Sequence, residues 1–299
     1  MSVINNVALV GATGNLGPSI LKQLLNAGFQ VTVLTREGST HEFPPSVVVK
    51  HVNYDSLDSL TAAFQGQDAV ISTLGFGGFS AQQRLVEAAL KAHVKRFVPS
   101  EFGSDTKNSK TAGLAVFADK VALQKFLENE AAKGNISYTY IYNGPFLDWG
   151  IKVGLIINPK EKAVTLYDGG ERLFSTTTLD TIGKAVAAAL KKPEETRNRG
   201  LFIQDAALTL KQLKAIAEKV TGVAWQGKEV SVENEVLAPA LAELQKENPD
   251  PSKTAVPLII TSIWGEGYGS PFPKLDNELL GLRELTEAEI EGVVAAATK

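Results

Sequence analysis

The amino-acid sequence predicts an α/β fold, with a Rossmann-like, doubly wound parallel sheet and a smaller C-terminal α/β lobe. Through the first half of the 299 residues, short apolar runs alternate with segments of helical length. That alternation is typical of a parallel sheet covered by helices on both faces. A glycine-rich turn also separates the first apolar run from the first helical segment.

Several of the predicted strands are continuous apolar runs, as expected for strands that are buried on both faces. In the first half they are Val7–Val10, Val31–Leu34, Val47–Val52, Ala69–Ser72, Phe97–Val98 and Tyr138–Tyr142. Most of the predicted helices between them are followed by glycine, which supplies a left-handed closing residue. These helices are Leu16–Ala27, Leu57–Gln65, Ala81–Ala92 and Ala115–Lys133.

The second half continues with a less regular series of elements. We predict strands at Val164–Tyr167 and Leu201–Gln204, and helices at Leu179–Leu190, at Leu210–Val220 and after the capping box that Thr286 opens. The change near residue 150 predicts a nucleotide-binding domain over residues 1–150 and a lobe for substrate over 151–299. The chain is expected to return to the first domain near residues 174–204.

Composition excludes several classes of protein. There is no cysteine, which rules out disulfides, thiolate metal sites and cysteine nucleophiles. The formal charge is −3 with no basic stripe, so nothing favours nucleic acid as a partner. The three histidines are scattered and predict no metal site. Without a signal-like or membrane-spanning segment, we expect a cytoplasmic protein; no pattern predicts its oligomeric state.

The turn after the first strand carries the pattern of a dinucleotide-binding site. Gly11 permits a sharp turn, Gly14 leaves room for a pyrophosphate beside the backbone, and Gly17 lets the helix pack close to the strand. The helix N-terminus offers N–H groups and a partial positive charge to phosphates. The predicted contacts along this turn are Gly11, Thr13, Gly14, Asn15, Leu16 and Gly17.

The end of the second strand favours NADP over NAD. Arg36 stands where an acidic residue would bind the ribose of NAD, and its guanidinium suits a 2′-phosphate. Glu37 follows directly and weakens this signal. The loop after the fourth strand should also flank the cofactor, with contacts from Ser72, Thr73, Leu74 and Gly75, and Gly77-Gly78 extend it.

Lys120 lies on the apolar face of the predicted helix Ala115–Lys133. It follows Val116 by four residues and precedes Leu123 by three, so the three side chains share one face. Burial lowers the pKa of a lysine and can fit it for proton transfer. The alternative is a packed lysine whose amine reaches water. Short-chain dehydrogenases have tyrosine where this chain has Val116, so a tyrosine relay is excluded.

The sequence also contains the signature of a known family. The segment Lys95-Arg96-Phe97-Val98-Pro99-Ser100-Glu101-Phe102-Gly103 resembles the KRFxPSEFG signature of the isoflavone reductase-like and NmrA-like family. This family of atypical short-chain dehydrogenases includes phenylcoumaran benzylic ether and pinoresinol–lariciresinol reductases. Similar matches occur at Gly11–Gly17, at Phe117-Ala118-Asp119-Lys120 and at Ile136-Ser137-Tyr138-Thr139-Tyr140. Residues 5 to 150 match well, and the remainder is most similar to fungal members.

The resemblance implies NADP(H) as cofactor and Lys120 as general acid/base, which also borders the cofactor. In family reductases such a lysine assists deprotonation of a phenol, which expels a benzylic ether and leaves a quinone methide for hydride attack. Asn143, Pro145 and Phe146 would lie beside the nicotinamide. Plant members often have a second basic residue after the arginine, but here Ser39 and Thr40 would bind the phosphate instead.

The predicted function is NADPH-dependent reduction of a small aromatic, phenolic or polyketide-like molecule. Candidate substrate contacts are Glu101, Phe102, Trp149, Trp264 and Tyr268. Two alternatives stay open. One is an NADP-binding redox sensor that regulates a protein partner without catalysis, and the other is an NADP-bound isomerase or dehydratase.

Overall fold

A seven-stranded parallel sheet forms the centre of the protein in a computed structural model, which describes residues 3–75, 78 and 81–298. Its strands are β1 (Asn6–Val10), β2 (Gln30–Arg36), β3 (Val48–Val52), β4 (Ala69–Ser72), β5 (Arg96–Val98), β6 (Ser137–Tyr142) and β9 (Arg199–Phe202). Their spatial order is β3-β2-β1-β4-β5-β6-β9. The predicted Gly77 lies outside the described residues.

The order of the sheet reverses direction at β1. The chain moves outward from β1 through β2 to β3, and then crosses to the other side of β1 to form β4. All strand pairs in this sheet are parallel. The loops that leave β1 and β4 therefore separate at the same edge and open a crevice there, the usual ligand site of such sheets.

Helices cover both faces of the sheet. One face carries α1 (Gly17–Asn26) and α7 (Leu179–Lys191), and the other carries α2 (Leu57–Phe64), α3 (Gln82–Lys91) and α5 (Ala118–Ala132). Gly183 lets the first two helices meet closely, because a Cβ there would lie 2.6 Å from the Ser19 carbonyl oxygen. The apolar cores on the two faces are separate clusters divided by the strands.

A second apolar core organises the C-terminal lobe. Two small sheets contribute: β7 (Ala163–Tyr167) with parallel β11 (Gln226–Val230), and β8 (Phe174–Thr176) with antiparallel β10 (Ala206–Leu208). Around them lie α6 (Leu147–Lys152), α8 (Leu210–Thr221), α10 (Ala255–Trp264) and α11 (Glu287–Ala297). Capping boxes begin α8 at Thr209 and α11 at Thr286, as predicted for α11.

The last part of the chain returns to the central sheet. Asp276 pairs with Arg199 and accepts a hydrogen bond from the Phe202 backbone at 2.9 Å, both in β9. Asn277 accepts from the Gln204 N–H at 3.2 Å and donates to its carbonyl at 2.8 Å. Leu280 joins the core that contains β1 and α1. The C-terminal segment thus covers the outer edge strand of the sheet.

The predicted Rossmann-like architecture is confirmed, and three details of the elements differ from prediction. The strand predicted at Leu201–Gln204 is β9, two residues earlier, because its ladder faces Thr139–Tyr142 and Gln204 bonds to Asn277 instead. The helix predicted at Ala115–Lys133 begins with a 3₁₀ turn, Ala115–Phe117, before α5.

The third difference is a set of helical elements that the sequence pattern did not predict. They are α4 (Ser109–Ala112), the π-helical turn Val232–Leu237, α9 (Ala238–Leu244) and α10. In the sequence, Pro239 and Pro257 suggest helix breaks, although they lie in α9 and α10. Both prolines lie in the first turn, where a backbone N–H has no intrahelical partner to lose. Among the described residues, no helix is both long and apolar enough to cross a membrane.

Candidate functional site

The glycine turn after β1 is built so tightly that side chains are excluded at two positions. Gly11 has φ +86°, and a Cβ on it would lie 2.7 Å from the Thr73 hydroxyl oxygen. A Cβ on Gly17 would lie 2.2 Å from the Gly11 carbonyl oxygen. Thr73, which follows β4, ties the two loops together, because its one hydroxyl hydrogen is shared between the carbonyls of Val10 and Gly11, each 2.9 Å away.

The N-terminus of α1 faces the same crevice and is available to an anion. No side chain caps its first turn, and that turn contains no acidic residue. Pro18 occupies the start of the helix, where its fixed φ suits the first turn. Free N–H groups and the helix dipole therefore favour negative charge at this point.

A large cleft, the nucleotide cleft, runs from this turn along the ends of β1, β2 and β3. Its volume is about 1040 Å³. Arg36 lies in its wall together with Glu37 and Ser39, as the sequence suggested for a 2′-phosphate subsite. His41 also lines the cleft, a residue for which the sequence analysis assigned no role there. Thr40 is not part of this wall.

Tyr54 lines the nucleotide cleft, and Arg84 supports it from outside the lining. The Tyr54 hydroxyl donates to the Leu34 carbonyl at 3.1 Å, and burial raises the pKa of Tyr54 to about 12 against the opposing effect of Arg36. Arg84 donates to the Tyr54 carbonyl at 2.9 Å and to Asp55 at 3.3 Å. The tyrosine is thus a fixed, neutral part of the wall.

A second, apolar cavity adjoins the nucleotide cleft. Its volume is about 390 Å³. The two share part of their walls, namely Gly14, Thr73, Leu74 and Gly75. The second cavity, which we call the apolar cavity, is bordered by α1, α5, α6 and α10. Its lining includes Asn15, Leu16, Phe102, Phe117, Lys120, Pro145, Phe146, Trp149, Leu155, Ile259 and Ile263.

Lys120 lies in the wall of the apolar cavity. The residue is 9 % exposed, and its amine donates to the carbonyl of Glu101 and lies 5.9 Å from the centre of the Phe117 ring. Burial lowers the pKa of Lys120, and the Glu101 charge acts in the opposite direction. Lys125, five residues on, is exposed. Five positions along a helix place Lys125 on a different side from Lys120, in agreement with this difference.

Glu101 is buried beside Lys120 within a polar network. Thr106 donates to its carboxylate at 3.4 Å, and Gln124 donates to Thr106 at 2.6 Å and to the Tyr142 hydroxyl at 3.1 Å. Burial raises the pKa of Glu101, which Lys120 partly offsets. The Oε1 atom of Glu101 has no hydrogen-bond partner in the described structure. A carboxyl and an amine therefore share one buried region, and the charge on each stabilises the charged form of the other.

The backbone around Glu101 is unusual. Phe102 has φ +23°, a conformation that side chains rarely adopt, and it is the next residue in the chain. Gly103 accepts hydrogen bonds from the N–H groups of Asn143 and Gly144 at 3.1 and 3.0 Å. Gly144 has φ +65°, and a Cβ there would lie 2.0 Å from the Ser175 carbonyl oxygen. These constraints fix the backbone around the Glu101 carbonyl, which accepts the hydrogen bond of Lys120.

Several predicted cofactor contacts lie behind the cavity walls. Ser72 is fully buried, and its hydroxyl has no hydrogen-bond partner among the described residues. Asn143 is also fully buried, and its amide donates to the Gly144 carbonyl at 2.7 Å. Gly17 acts through packing of the turn. These three support the loops that line the cavities.

Two of the predicted substrate contacts are not among the residues that line the apolar cavity. Trp264 is fully buried in the C-terminal core, stacked on Tyr167 at 5.0 Å and edge-on to Phe174 at 5.2 Å. Its neighbour Ile263 reaches the apolar cavity instead. Tyr268 packs on a separate apolar cluster that includes Phe117. Trp149 and Phe102 do line the cavity, and Trp149 meets Phe146 edge-on at 6.1 Å.

Other lining residues were missed by the sequence analysis. Ser104, Leu155 and Ile259 come from three distant parts of the chain, and no local pattern joins them. Ser100, which the sequence analysis named only as part of the family signature, also lines the cavity. Only the motif around Glu101 offered a signal that could have pointed to Ser100 and Ser104.

The topology and the two joined cavities define an α/β protein with a nucleotide cleft beside an apolar cavity. The chain belongs to the NmrA-like family, which it matches over residues 4–245. The resemblance to isoflavone reductase-like proteins is thereby confirmed.

Two fungal relatives match over nearly the whole length of the chain. The chain is 32 % identical to oxidoreductase aprR of Aspergillus flavus, with 98 % of each chain covered. It is 29 % identical to oxidoreductase poxI of Penicillium oxalicum, and the match covers 93 % of this chain and 90 % of that protein. A phenylcoumaran benzylic ether reductase of Pyrus communis is 32 % identical, over 74 % of this chain and 76 % of its own. The chain is an oxidoreductase of this family.

Solved structures show the same fold. A structure described as AtPrR2 with NADP⁺ and (+)pinoresinol has a TM-score of 0.77 at 23 % identity, with 99 % of each chain covered. The leucoanthocyanidin reductase–NADPH complex of Vitis vinifera has a TM-score of 0.77 at 18 % identity, covering 98 % of this chain and 99 % of that one. Both cover the C-terminal lobe as well as the central sheet.

Proposed function

We propose that the protein is an NADPH-dependent reductase of a small aromatic molecule, phenolic or polyketide-like, with Lys120 as general acid/base. One observation carries this proposal. A lysine that is 9 % exposed stands in the wall of an apolar cavity, and that cavity meets the nucleotide cleft at Thr73, Leu74 and Gly75. A titratable group is therefore placed where a ligand and a dinucleotide would meet.

The residues of the nucleotide cleft fit NADP(H). The turn at Gly11 and Gly17 leaves no space for side chains and brings the backbone and the α1 N-terminus to the crevice. Arg36 and Ser39 offer a guanidinium and a hydroxyl to a 2′-phosphate. The volume of about 1040 Å³ accommodates a dinucleotide. When bound, NADPH supplies the hydride for the reduction.

The apolar cavity fits a small aromatic ligand. At about 390 Å³ it lies within the usual range for small-molecule sites. Phe102, Phe117, Phe146 and Trp149 supply aromatic surface. The names of related proteins agree with such a ligand, since the Pyrus relative is a phenylcoumaran benzylic ether reductase and one structural neighbour holds pinoresinol.

Lys120 would move a proton to or from the hydroxyl of the ligand. A neutral amine accepts a phenolic proton, and the lysine then returns it once the ligand is reduced. Burial lowers the pKa of Lys120 and so increases its neutral fraction near pH 7. Its hydrogen bond to the Glu101 carbonyl holds the amine in place in the wall.

The test is NADPH oxidation across a panel of phenols, benzylic aryl ethers and quinones, with product analysis. We expect wild-type turnover on at least one member, and a loss of about 10²-fold or more in kcat for Lys120→Met. Lys125→Met is the matched control, because this lysine lies on the exposed side of the same helix. It should retain wild-type kcat.

Three outcomes would contradict the proposal. Unchanged turnover in Lys120→Met would remove Lys120 from the mechanism. Calorimetric binding of NADP⁺ and NADPH without turnover of any panel member would favour the regulatory alternative. Product formed without a matching amount of oxidised cofactor would favour an isomerase or dehydratase.

A further inference from the structure

A serine in the wall of the apolar cavity pairs with a second, buried serine behind it. Ser104, in the loop after β5, lines the cavity, and its Oγ lies 2.7 Å from the Oγ of Ser262 in α10. Ser262 is 1 % exposed and lies behind Ser104. The two residues are 158 positions apart, so this pair joins the central sheet to the C-terminal lobe.

The direction of the hydrogen bonds in this pair is determined by the next acceptor. The Ser262 hydroxyl donates to the Ile259 carbonyl oxygen at 2.7 Å. A serine hydroxyl has one hydrogen and two lone pairs. Since the hydrogen of Ser262 is used on the Ile259 carbonyl, the bond between the serines must use the hydrogen of Ser104. Ser104 then has only a lone pair to offer the cavity.

Ser100 repeats this arrangement at the same cavity. Its hydroxyl donates to the Leu74 carbonyl oxygen at 2.8 Å. Both serine hydroxyls of the wall therefore direct their hydrogens into the protein. A ligand that offers only an ether or carbonyl oxygen to Ser104 would place two acceptors against each other, and a buried acceptor without a donor is unfavourable.

We infer that Ser104 selects ligands that present a hydroxyl hydrogen to it, so that the preferred substrate carries a donor hydroxyl in addition to the one that meets Lys120. The inference rests on the proposed function for the aromatic nature of the ligand. It adds the class of substrate: aromatic molecules with two free hydroxyls bind better than their monomethyl ethers. Ser262 is a positioning residue in this scheme, since it acts through Ser104.

The test compares two probes on NADP⁺-loaded protein by isothermal titration calorimetry. One probe is biphenyl with a hydroxyl at each para end, and the other is its monomethyl ether, which keeps one phenol for Lys120. We expect the wild-type protein to bind the diol about fivefold more tightly, the value of one hydrogen bond. Ser104→Ala, which removes the acceptor, should bring this ratio close to one.

Ser262→Ala separates hydrogen-bond direction from simple packing. This buried residue has no surface in the cavity, but its loss frees the hydrogen of Ser104, which can then donate to the ether oxygen. The ratio should fall close to one, with the ether binding more tightly than it does to wild type. Thr261→Val is the matched control, because the Thr261 hydroxyl in the same helix donates to the Pro257 carbonyl instead, at 2.9 Å. It should keep the ratio near fivefold.

Three results would overturn the inference: equal or tighter binding of the ether by wild type, an unchanged ratio in Ser262→Ala, or no binding of either probe. None of these measures hydride transfer. The proposed function is decided separately by NADPH oxidation and by Lys120→Met, so the two can fail independently.

Discussion

At the scale of single residues, Lys120 and Glu101 form a buried titratable pair in the wall of the apolar cavity. The side chain of Glu101 is 2 % exposed and that of Lys120 is 9 % exposed, and the amine is hydrogen-bonded to the backbone of the glutamate. Burial lowers the pKa of the lysine and raises that of the glutamate. Each charge stabilises the other, so the protonation of one residue depends on that of the other.

This dependence predicts the pH profile of Glu101→Gln. In the proposed mechanism Lys120 must be neutral to accept a proton, so activity should rise with pH through its pKa. The Glu101 charge raises that pKa. Its removal should therefore lower the pKa of Lys120 further and move the acid limb of kcat/KM to lower pH, which a pH–rate series on the best panel substrate would show.

Asp119→Asn is the control for this profile. Asp119 precedes Lys120 in the chain but is exposed, so its removal should leave the acid limb in place. An unmoved limb in Glu101→Gln would mean that the Glu101 carboxyl is already uncharged in the working range of pH.

The structure also shows which single residues could be placed correctly from the sequence alone. Lys120 could be placed inside because helical periodicity assigns each position of a helix to a face. Trp264 could not be placed, since an apolar residue can point to a core as readily as to a cavity, and it points to the C-terminal core. The Ser104–Ser262 pair could not be found, because it depends on contact between residues 158 positions apart.

At the scale of elements, the position of the glycine turn depends on how α1 packs. This helix lies between β1 and α7, and Gly183 provides the close contact between the two helices. The sequence pattern predicted both helices to within one residue at each end, and a closing glycine marked the end of α1. The sequence pattern could not show that α7 would pack on α1, because the two are far apart in the chain.

We expect Gly183→Ala to destabilise the protein. Its Cβ would lie 2.6 Å from the Ser19 carbonyl oxygen and 3.0 Å from Gln23, so the helices must separate, at a cost of about 1–3 kcal/mol in the free energy of unfolding. Urea denaturation measures this change. A midpoint equal to that of wild type would show that the helices adjust freely.

Gly292→Ala should change the free energy of unfolding in the opposite direction and serves as the comparison. Gly292 lies in α11, and a Cβ there has nothing within 4 Å. Alanine in an open helical position is expected to stabilise by about 1 kcal/mol through the unfolded chain and helix propensity. The pair of variants separates close packing from the general effect of replacing glycine.

At the scale of the whole molecule, the nucleotide-binding part is completed by residues far from it in sequence. β9 extends the sheet beyond β6, α7 covers its face, and the segment around Asp276 covers β9. A return of the chain near residues 174–204 was expected from the sequence. The second return, through Asp276 and Leu280, was not expected, because that segment has no periodic pattern.

A fragment of residues 1–150 should therefore not fold by itself. It lacks Leu201, Ile203 and the apolar face of α7, and it leaves the edge of β6 without a partner. Circular dichroism should show no cooperative thermal transition, in contrast to the full chain. Cooperative unfolding of the fragment, or calorimetric NADP⁺ binding by it, would contradict this expectation.

The placement of Trp149 has a consequence for how the protein can be observed. The chain has three tryptophans, and Trp225 and Trp264 are buried at 4 % and 0 % exposure, whereas Trp149 lines the apolar cavity. A ligand that replaces water beside the Trp149 indole changes the wavelength and intensity of its fluorescence. The two buried indoles give a constant background. The protein thus carries its own optical reporter of occupancy, with no dye or engineered label required.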